Sequence, residues 1–154
     1  MVAIMDDRAS ISVRMRVPFY DVDMLQIVWH GNYLKYFDVA RQAFFFRCGL
    51  DMTLGEQKHY IFPVIRTSVK YLYPLKLNDE FICTATLKEA RMKLVIDFEI
   101  RLVKDGRLCA KGRSEHAAVR LPEMELEFRI PADVEKTLWS IKGQSHDIAA
   151  VEDL

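Results

Sequence analysis

The stretch Phe19–Gly49, FYDVDMLQIVWHGNYLKYFDVARQAFFFRCG, limits what the chain can become more than any other. It places two aspartates, Asp21 and Asp23, at the end of a strand-like run, then a short apolar loop, then a long segment with helix signals at both ends. Gly31 and Asn32 occur readily at helix starts, and Gly49 after Cys48 is a stop signal. Between them Lys35, Asp38 and Gln42 share one narrow face, with Arg41 on its flank. Tyr33, Leu34, Tyr36, Phe37, Val39, Ala40, Ala43, Phe44, Phe45 and Phe46 cover most of the remaining circumference. An apolar surface this wide predicts a helix wrapped by other elements on several sides. A carboxylate beside the start of such a helix joins an acid/base or nucleophilic group to backbone N–H donors that lack an intrahelical partner.

The rest of the chain supplies the wrapping. Ile11, Val13, Met15, Val17 and Phe19 alternate with Ser12, Arg14, Arg16 and Pro18, which predicts a half-buried strand. Asp51 to Tyr60 reads as a polar connector. Ile61 to Tyr73 is rich in β-branched and aromatic residues up to Pro74 and reads as a second strand. Phe81 to Lys88 and Leu94 to Val103 alternate again across the basic bend 89–93. Asp105-Gly106 is a tight-turn signal leading into a fifth strand, Leu108 to Leu121. Beyond Pro122, residues 124–130 alternate as a short edge strand, Pro131-Ala132-Asp133 starts a helix over Val134 to Ile141, and the polar tail from Lys142 is expected to fray. One strand, one long helix and then a run of antiparallel strands predict an α+β fold, with the helix packed on one face of a sheet of five or six strands. The 154 residues fit a single domain (1–154), with a core over about 11–121 and a C-terminal extension over 122–154.

Composition removes several function classes. The 22 basic and 22 acidic side chains cancel, so no charge excess points to nucleic acid or to an anionic membrane surface. No apolar run approaches the ~20 residues of a membrane span, and the N-terminus has no signal-peptide pattern. Cys48, Cys83 and Cys109 form no CxxC pair, consistent with a reducing, cytoplasmic setting. His59, His116 and His146 share no metal-ligand spacing with one another or with the cysteines, so neither metal nor cofactor is expected.

Tyr20-Asp21-Val22-Asp23, Ile27-Val28-Trp29-His30-Gly31-Asn32-Tyr33, Asp38-Val39-Ala40-Arg41 and Gly49-Leu50 together resemble the hotdog-fold acyl-CoA thioesterases of the 4-hydroxybenzoyl-CoA thioesterase type. The likeness runs from Val13 to Val119 and takes in Tyr71, Pro74 and Asp79. It implies a long central helix wrapped by a curved antiparallel sheet, and a homo-oligomer, either a dimer or a tetramer of dimers, with sites at the subunit interface. It further implies an acyl-CoA substrate, with an acyl carrier protein thioesterase and a non-catalytic acyl-CoA-binding module as alternatives.

Carried over by position, Asp23 matches the family's catalytic carboxylate, acting as nucleophile or general base. The N–H of His30, with Gly31 beside it, matches the oxyanion donor. Gln26, Ile27, Val28, Trp29, Asn32 and Tyr33 fall at substrate-contacting positions. Lys88, Arg91 and Lys93, clustered at a bend, would suit the phosphates of CoA. Asp21 reads as a structural loop carboxylate bonded to nearby N–H groups, and Arg41 as one half of an ion pair with a buried or interfacial acid. Two positions depart from the family pattern: Gln26 stands where a glycine is usual, and Asp38 where glutamate is commoner.

Overall fold

A computed structural model describes residues 7–50, 59–144 and 148–150. Strand β1 (Ser10–Arg16) buries Ile11, Val13 and Met15 and exposes Arg14 and Arg16, as its alternation requires. The expected continuation to Phe19 does not form. Pro18 has no N–H to give to a ladder, so the chain turns into a short 3₁₀ segment, Phe19–Asp21, and Phe19 is left 80% exposed.

Helix α1 (Asn32–Arg47) starts at Gly31 and ends in a Schellman motif: Leu50 N donates to Phe45 O and Gly49 N to Phe46 O, both at 3.0 Å, with Gly49 at φ +76°. It buries Tyr33, Tyr36, Phe37, Ala40, Ala43, Phe44 and Phe45. The expectation of burial nearly all round is corrected at two places, since Leu34 is 38% and Phe46 82% exposed in the single chain.

The residues expected to form strand two divide into β2 (Tyr60–Ile61) and β3 (Val64–Tyr71). Strands β4 (Glu80–Ala90) and β5 (Leu94–Leu102) follow as expected. The fifth predicted strand divides into β6 (Leu108–His116) and β7 (Ala118–Arg120). Both breaks have one cause. Pro63 cannot donate, and its carbonyl accepts from Ala117 N at 3.1 Å, so two adjacent strands leave the main sheet at the same level. The alternating run 124–130 contributes β8 (Glu125–Glu127), and β2, β7 and β8 make a small second sheet. Helix α2 (Ala132–Trp139) buries Leu138 in the same core as Ile130 and Ile141. The tail was expected to fray, yet β9 (Ala149–Ala150) pairs in parallel with Val13 and Arg14. The connector 51–58 and His146 lie outside the described residues.

The main sheet runs β3-β6-β5-β4-β1-β9, five antiparallel strands with β9 added at one edge. Its inner face carries Phe81, Cys83, Ala85, Leu94, Ile96, Phe98 and Ile100, all essentially inaccessible, and α1 lies across them. Phe37 stacks on Phe98 (4.6 Å, 14°) and occupies the space above Gly112, where a Cβ would come within 2.2 Å of its ring. Each large apolar side chain buried this way contributes about 1.5–3 kcal/mol. On its other side, β3 has no strand partner among the described residues.

Candidate active site

The loop between the 3₁₀ segment and α1 folds into a tight hairpin. Asp23 N donates to Ile27 O (2.9 Å), Gln26 N to Asp23 O (2.9 Å) and Trp29 N to Asp21 O (3.0 Å), with Val22 bridged to Val28. The turn requires Gln26 to adopt φ +61°, the left-handed conformation that favours glycine. Gln26 therefore replaces the family glycine without abolishing the turn. Its carbonyl accepts from Leu77 N at 3.2 Å, and the main chain of Ile27 bridges Lys76.

Asp21 and Asp23 have opposite environments. The Asp21 residue is 2% exposed, and its carboxylate accepts from Tyr36 Oη at 2.7 Å and from Lys35 Nζ. Its carbonyl accepts from Asn32 Nδ2 at 2.8 Å as well as from Trp29 N. The bonds from Asn32, Lys35 and Tyr36 clasp the hairpin to the start of α1, and the bond from Trp29 N closes the hairpin itself. The donors to the carboxylate are side chains, not the backbone N–H groups expected. Burial, then the bond to Asp21, pushes the Tyr36 phenol far above its usual range, so it stays a donor.

Asp23 is half-buried, and its Oδ1 accepts from Leu25 N at 2.8 Å. It lines a cleft of about 540 Å³ together with Phe19, Tyr20, Met24, Gln26 and Leu77. This is a carboxylate fixed in direction by one bond, in apolar surroundings, and open to a ligand.

The mouth of α1 lies at the base of the same hairpin. No side chain caps the helix, and the N–H groups of His30 and Gly31 donate to no backbone acceptor among the described residues. Tyr71 on β3 holds the peptide of the Gly31 N–H, its Oη donating to His30 O at 2.7 Å, and the peptide of the His30 N–H is held through Trp29 O, which accepts from Asn32 N at 2.9 Å. The Trp29 ring packs over Gly31, where a Cβ would come within 2.2 Å of it, so a side chain there would displace the indole. Trp29 is 51% exposed, and its ring centroid lies 5.0 Å from that of His30. Tyr33 is buried, with its ring edge-on to Tyr71 at 5.0 Å, and its hydroxyl accepts from Leu75 N at 3.3 Å.

The hairpin and helix mouth thus bring together Asp23, Gln26, Ile27, Val28, Trp29, His30, Gly31, Asn32 and Tyr33. Lys88, Arg91 and Lys93 are not brought to them. From Glu80 to Lys88, β4 runs about 26 Å away from the hairpin side. Lys93 pairs with Glu115, and Arg91 uses its carbonyl to accept from Ile130 N at 2.7 Å. Arg41 pairs with Asp38 at 2.7 Å, and that acid is 61% exposed rather than buried. Reasoning from sequence missed the contributions of Lys35, Tyr36 and the Tyr71 hydroxyl. Lys35 reads as a solvent-facing charge, and only its spacing of one turn from the helix start placed it within reach of Asp21.

Cys48, Cys83 and Cys109 are buried, and burial raises all three thiols, Cys48 to about 11. Among the described residues no group of three or more His, Cys, Asp or Glu side chains is placed to hold a metal ion. No helix of the described residues is long and apolar enough to cross a membrane.

The sequence profile of the thioesterase-like superfamily matches residues 17–138. The chain belongs to that superfamily. It is 31% identical over 87 residues to acyl-CoA thioesterase YbgC of Helicobacter pylori, covering 56% of this chain and 63% of that protein. It is 29% identical over 87 residues to 4-hydroxybenzoyl-CoA thioesterase of Pseudomonas, covering 54% and 62%. These matches span somewhat less than two thirds of each relative. A solved 4-hydroxybenzoyl-CoA thioesterase, an Asp-to-Asn variant in complex with 4-hydroxybenzoyl-CoA, superposes with a TM-score of 0.72 at 21% identity, over 84% of this chain and 99% of that one. The expected hotdog fold is therefore the observed one, with its helix and curved antiparallel sheet.

Proposed function

We propose that this superfamily member hydrolyses acyl-CoA thioesters, releasing a carboxylic acid and CoA. The observation that carries the reading is the Asp23 carboxylate, held in a rigid hairpin beside the uncapped N-terminus of α1. In the general-base route Asp23 takes a proton from water as its oxygen attacks the thioester carbon. In the nucleophilic route the carboxylate attacks that carbon itself, and water then cleaves the mixed anhydride. In both, the carbonyl oxygen becomes negatively charged, and the N–H groups of His30 and Gly31 together with the helix dipole stabilise it. The electron pair then returns and expels the CoA thiolate.

The acyl group would lie in the apolar surroundings of Phe19, Tyr20, Met24 and Trp29, all of which are at least half exposed in the single chain. So much exposed aromatic surface is uncommon unless a ligand or partner covers it. We further propose a homo-oligomer in which the free side of β3 pairs with a second copy, so that two sheets become one and Tyr71 with the helix mouth borders the interface.

The test is Asp23→Asn. It keeps the shape and the acceptor for Leu25 N but removes the charge, and a general base is worth roughly 10²–10⁴-fold in rate. Across a panel of acyl-CoA substrates assayed by free-thiol release, with an acyl carrier protein thioester alongside, kcat should fall at least about a hundredfold with affinity kept. A folded variant with near wild-type turnover would exclude Asp23 as the catalytic carboxylate. Wild-type binding of acyl-CoA without turnover would favour an acyl-CoA-binding module.

A further inference from the structure

On the face of the sheet turned away from α1, a groove of about 660 Å³ crosses β3, β6, β5 and β4. Six cationic side chains line it, against two carboxylates, Asp97 and Glu99. Both carboxylates are already engaged: Asp97 accepts twice from Arg113, at 2.6 and 3.0 Å, and Glu99 pairs with Arg101 at 3.4 Å. Lys70, Lys88 and Lys111 form no ion pair among the described residues. Lys70 stands directly opposite Lys111 on β6, an arrangement of like charges that costs stability, and Lys111 in turn stands opposite Glu99 on β5. Lys88 is the extra residue of a β-bulge, because pairing with β5 skips from Leu87 to Glu89. By the alternation of β4, Lys88 shares the outer face with Thr84 and Thr86, and it joins Lys70 and Lys111 in the groove.

We propose that this groove binds a phosphate-rich ligand of the nucleotide class, held by Lys70, Lys88 and Lys111 over the hydroxyls of Thr84 and Thr86. The size of the site selects the ligand. From β3 to β4 are three strand spacings, about 14 Å, too far for one phosphate to contact all three ammonium groups but within reach of a chain of phosphates carrying a nucleoside. The volume is that of a small-molecule site. Ammonium groups bind phosphate oxygens through charge-assisted hydrogen bonds, and hydroxyls complete the shell. Two sources share this chemistry, a free nucleoside polyphosphate and the nucleotide end of CoA itself.

The proposal is tested by calorimetric titration of the full chain at low ionic strength with ATP, tripolyphosphate and free CoA, against the triple variant Lys70→Gln, Lys88→Gln, Lys111→Gln. The wild type should bind ATP and tripolyphosphate, and the variant should bind them about tenfold more weakly or worse. Without ligand the variant should melt within a few degrees of the wild type, because relief of the lysine opposition offsets the lost pairing of Lys111 with Glu99, while ATP should raise the melting temperature of the wild type alone. ATP binding that persists under saturating CoA assigns the groove to a free nucleotide. Mutual exclusion abolished by the triple substitution assigns it to CoA. Absence of binding by the wild type, or equal affinity in the two proteins, overturns the proposal. No arm measures turnover, so such a failure leaves the thioesterase reading untouched.

Discussion

Replacing Asp21 by Asn should cost stability and leave chemistry largely intact, the opposite signature to Asp23→Asn. The Asp21 carboxylate is nearly inaccessible and receives a phenol hydroxyl and an ammonium group. Asparagine keeps an acceptor for Tyr36 but loses the charge, and it turns an amide donor toward Lys35, which has none to accept. A hydrogen bond to a buried charged group contributes about 1.5–3 kcal/mol. Lys35 is 48% exposed and can return to water, which places the cost near 2 kcal/mol rather than at the upper end for buried pairs. For a chain of this length that corresponds to a fall of about 4–8 °C in Tm, measured by circular dichroism. With this clasp on α1 reduced, KM should rise modestly, and kcat should stay within several-fold of wild type. An unchanged Tm combined with a hundredfold loss of kcat would reverse the roles assigned to the two aspartates.

Gly112→Ala should cost about 1–3 kcal/mol by driving a methyl group into the Phe37 ring. In a Phe37→Ala background the same change should cost almost nothing, and equal penalties in the two backgrounds would refute the contact. His116 is 1% exposed, and burial, reinforced by the Arg41 cation, lowers its pKa to about 4. The unfolded chain therefore binds the proton more readily between pH 6.5 and 4, and stability should fall across that window by up to ~1.4 kcal/mol per pH unit. His116→Gln should flatten the pH dependence of denaturant unfolding. Tyr71→Phe removes the bond to His30 O, which holds the peptide of the Gly31 N–H, and should lower kcat several-fold more than it raises KM. Light scattering should show a dimer or larger at micromolar concentration, and a stable 18.0 kDa monomer would contradict pairing through β3.

The architecture was legible because its signals are local and redundant. Gly31 and Gly49 bracket α1, Asp105-Gly106 marks a hairpin, and apolar residues two apart identify β1, β4 and β5. What was misread depends on partners distant in sequence. Ile61 to Tyr73 and Leu108 to Leu121 look continuous, and only the meeting of Pro63 with Ala117 divides each between two sheets. The pairing of Ala149–Ala150 with β1 has no periodic signal, being too short to show one. At the site, the sequence pattern separated Asp21 as structural from Asp23, but not the groups that hold Asp21. Its partners are Lys35 and Tyr36 turning back over the first turn of α1, a tertiary arrangement invisible to periodicity. The bend Lys88, Arg91 and Lys93 reads as one cluster because its members are neighbours in sequence. In space the alternation of β4 puts one of them on the outer face of the sheet, and an acid on β6 engages another.

The position of β3 in the sheet also bears on how the chain assembles during synthesis. Its only strand partner among the described residues is β6, which the ribosome makes after β4 and β5, so β3 emerges well before anything can pair with it. Meanwhile Val64, Ile65, Val69 and Tyr71 form an extended β-prone segment available to any neighbouring chain. Arg66 and Lys70 interrupt that segment and act as gatekeepers against premature association. Neutralising both should therefore reduce the yield of native protein at high expression more than it changes the melting temperature of the molecules that do fold.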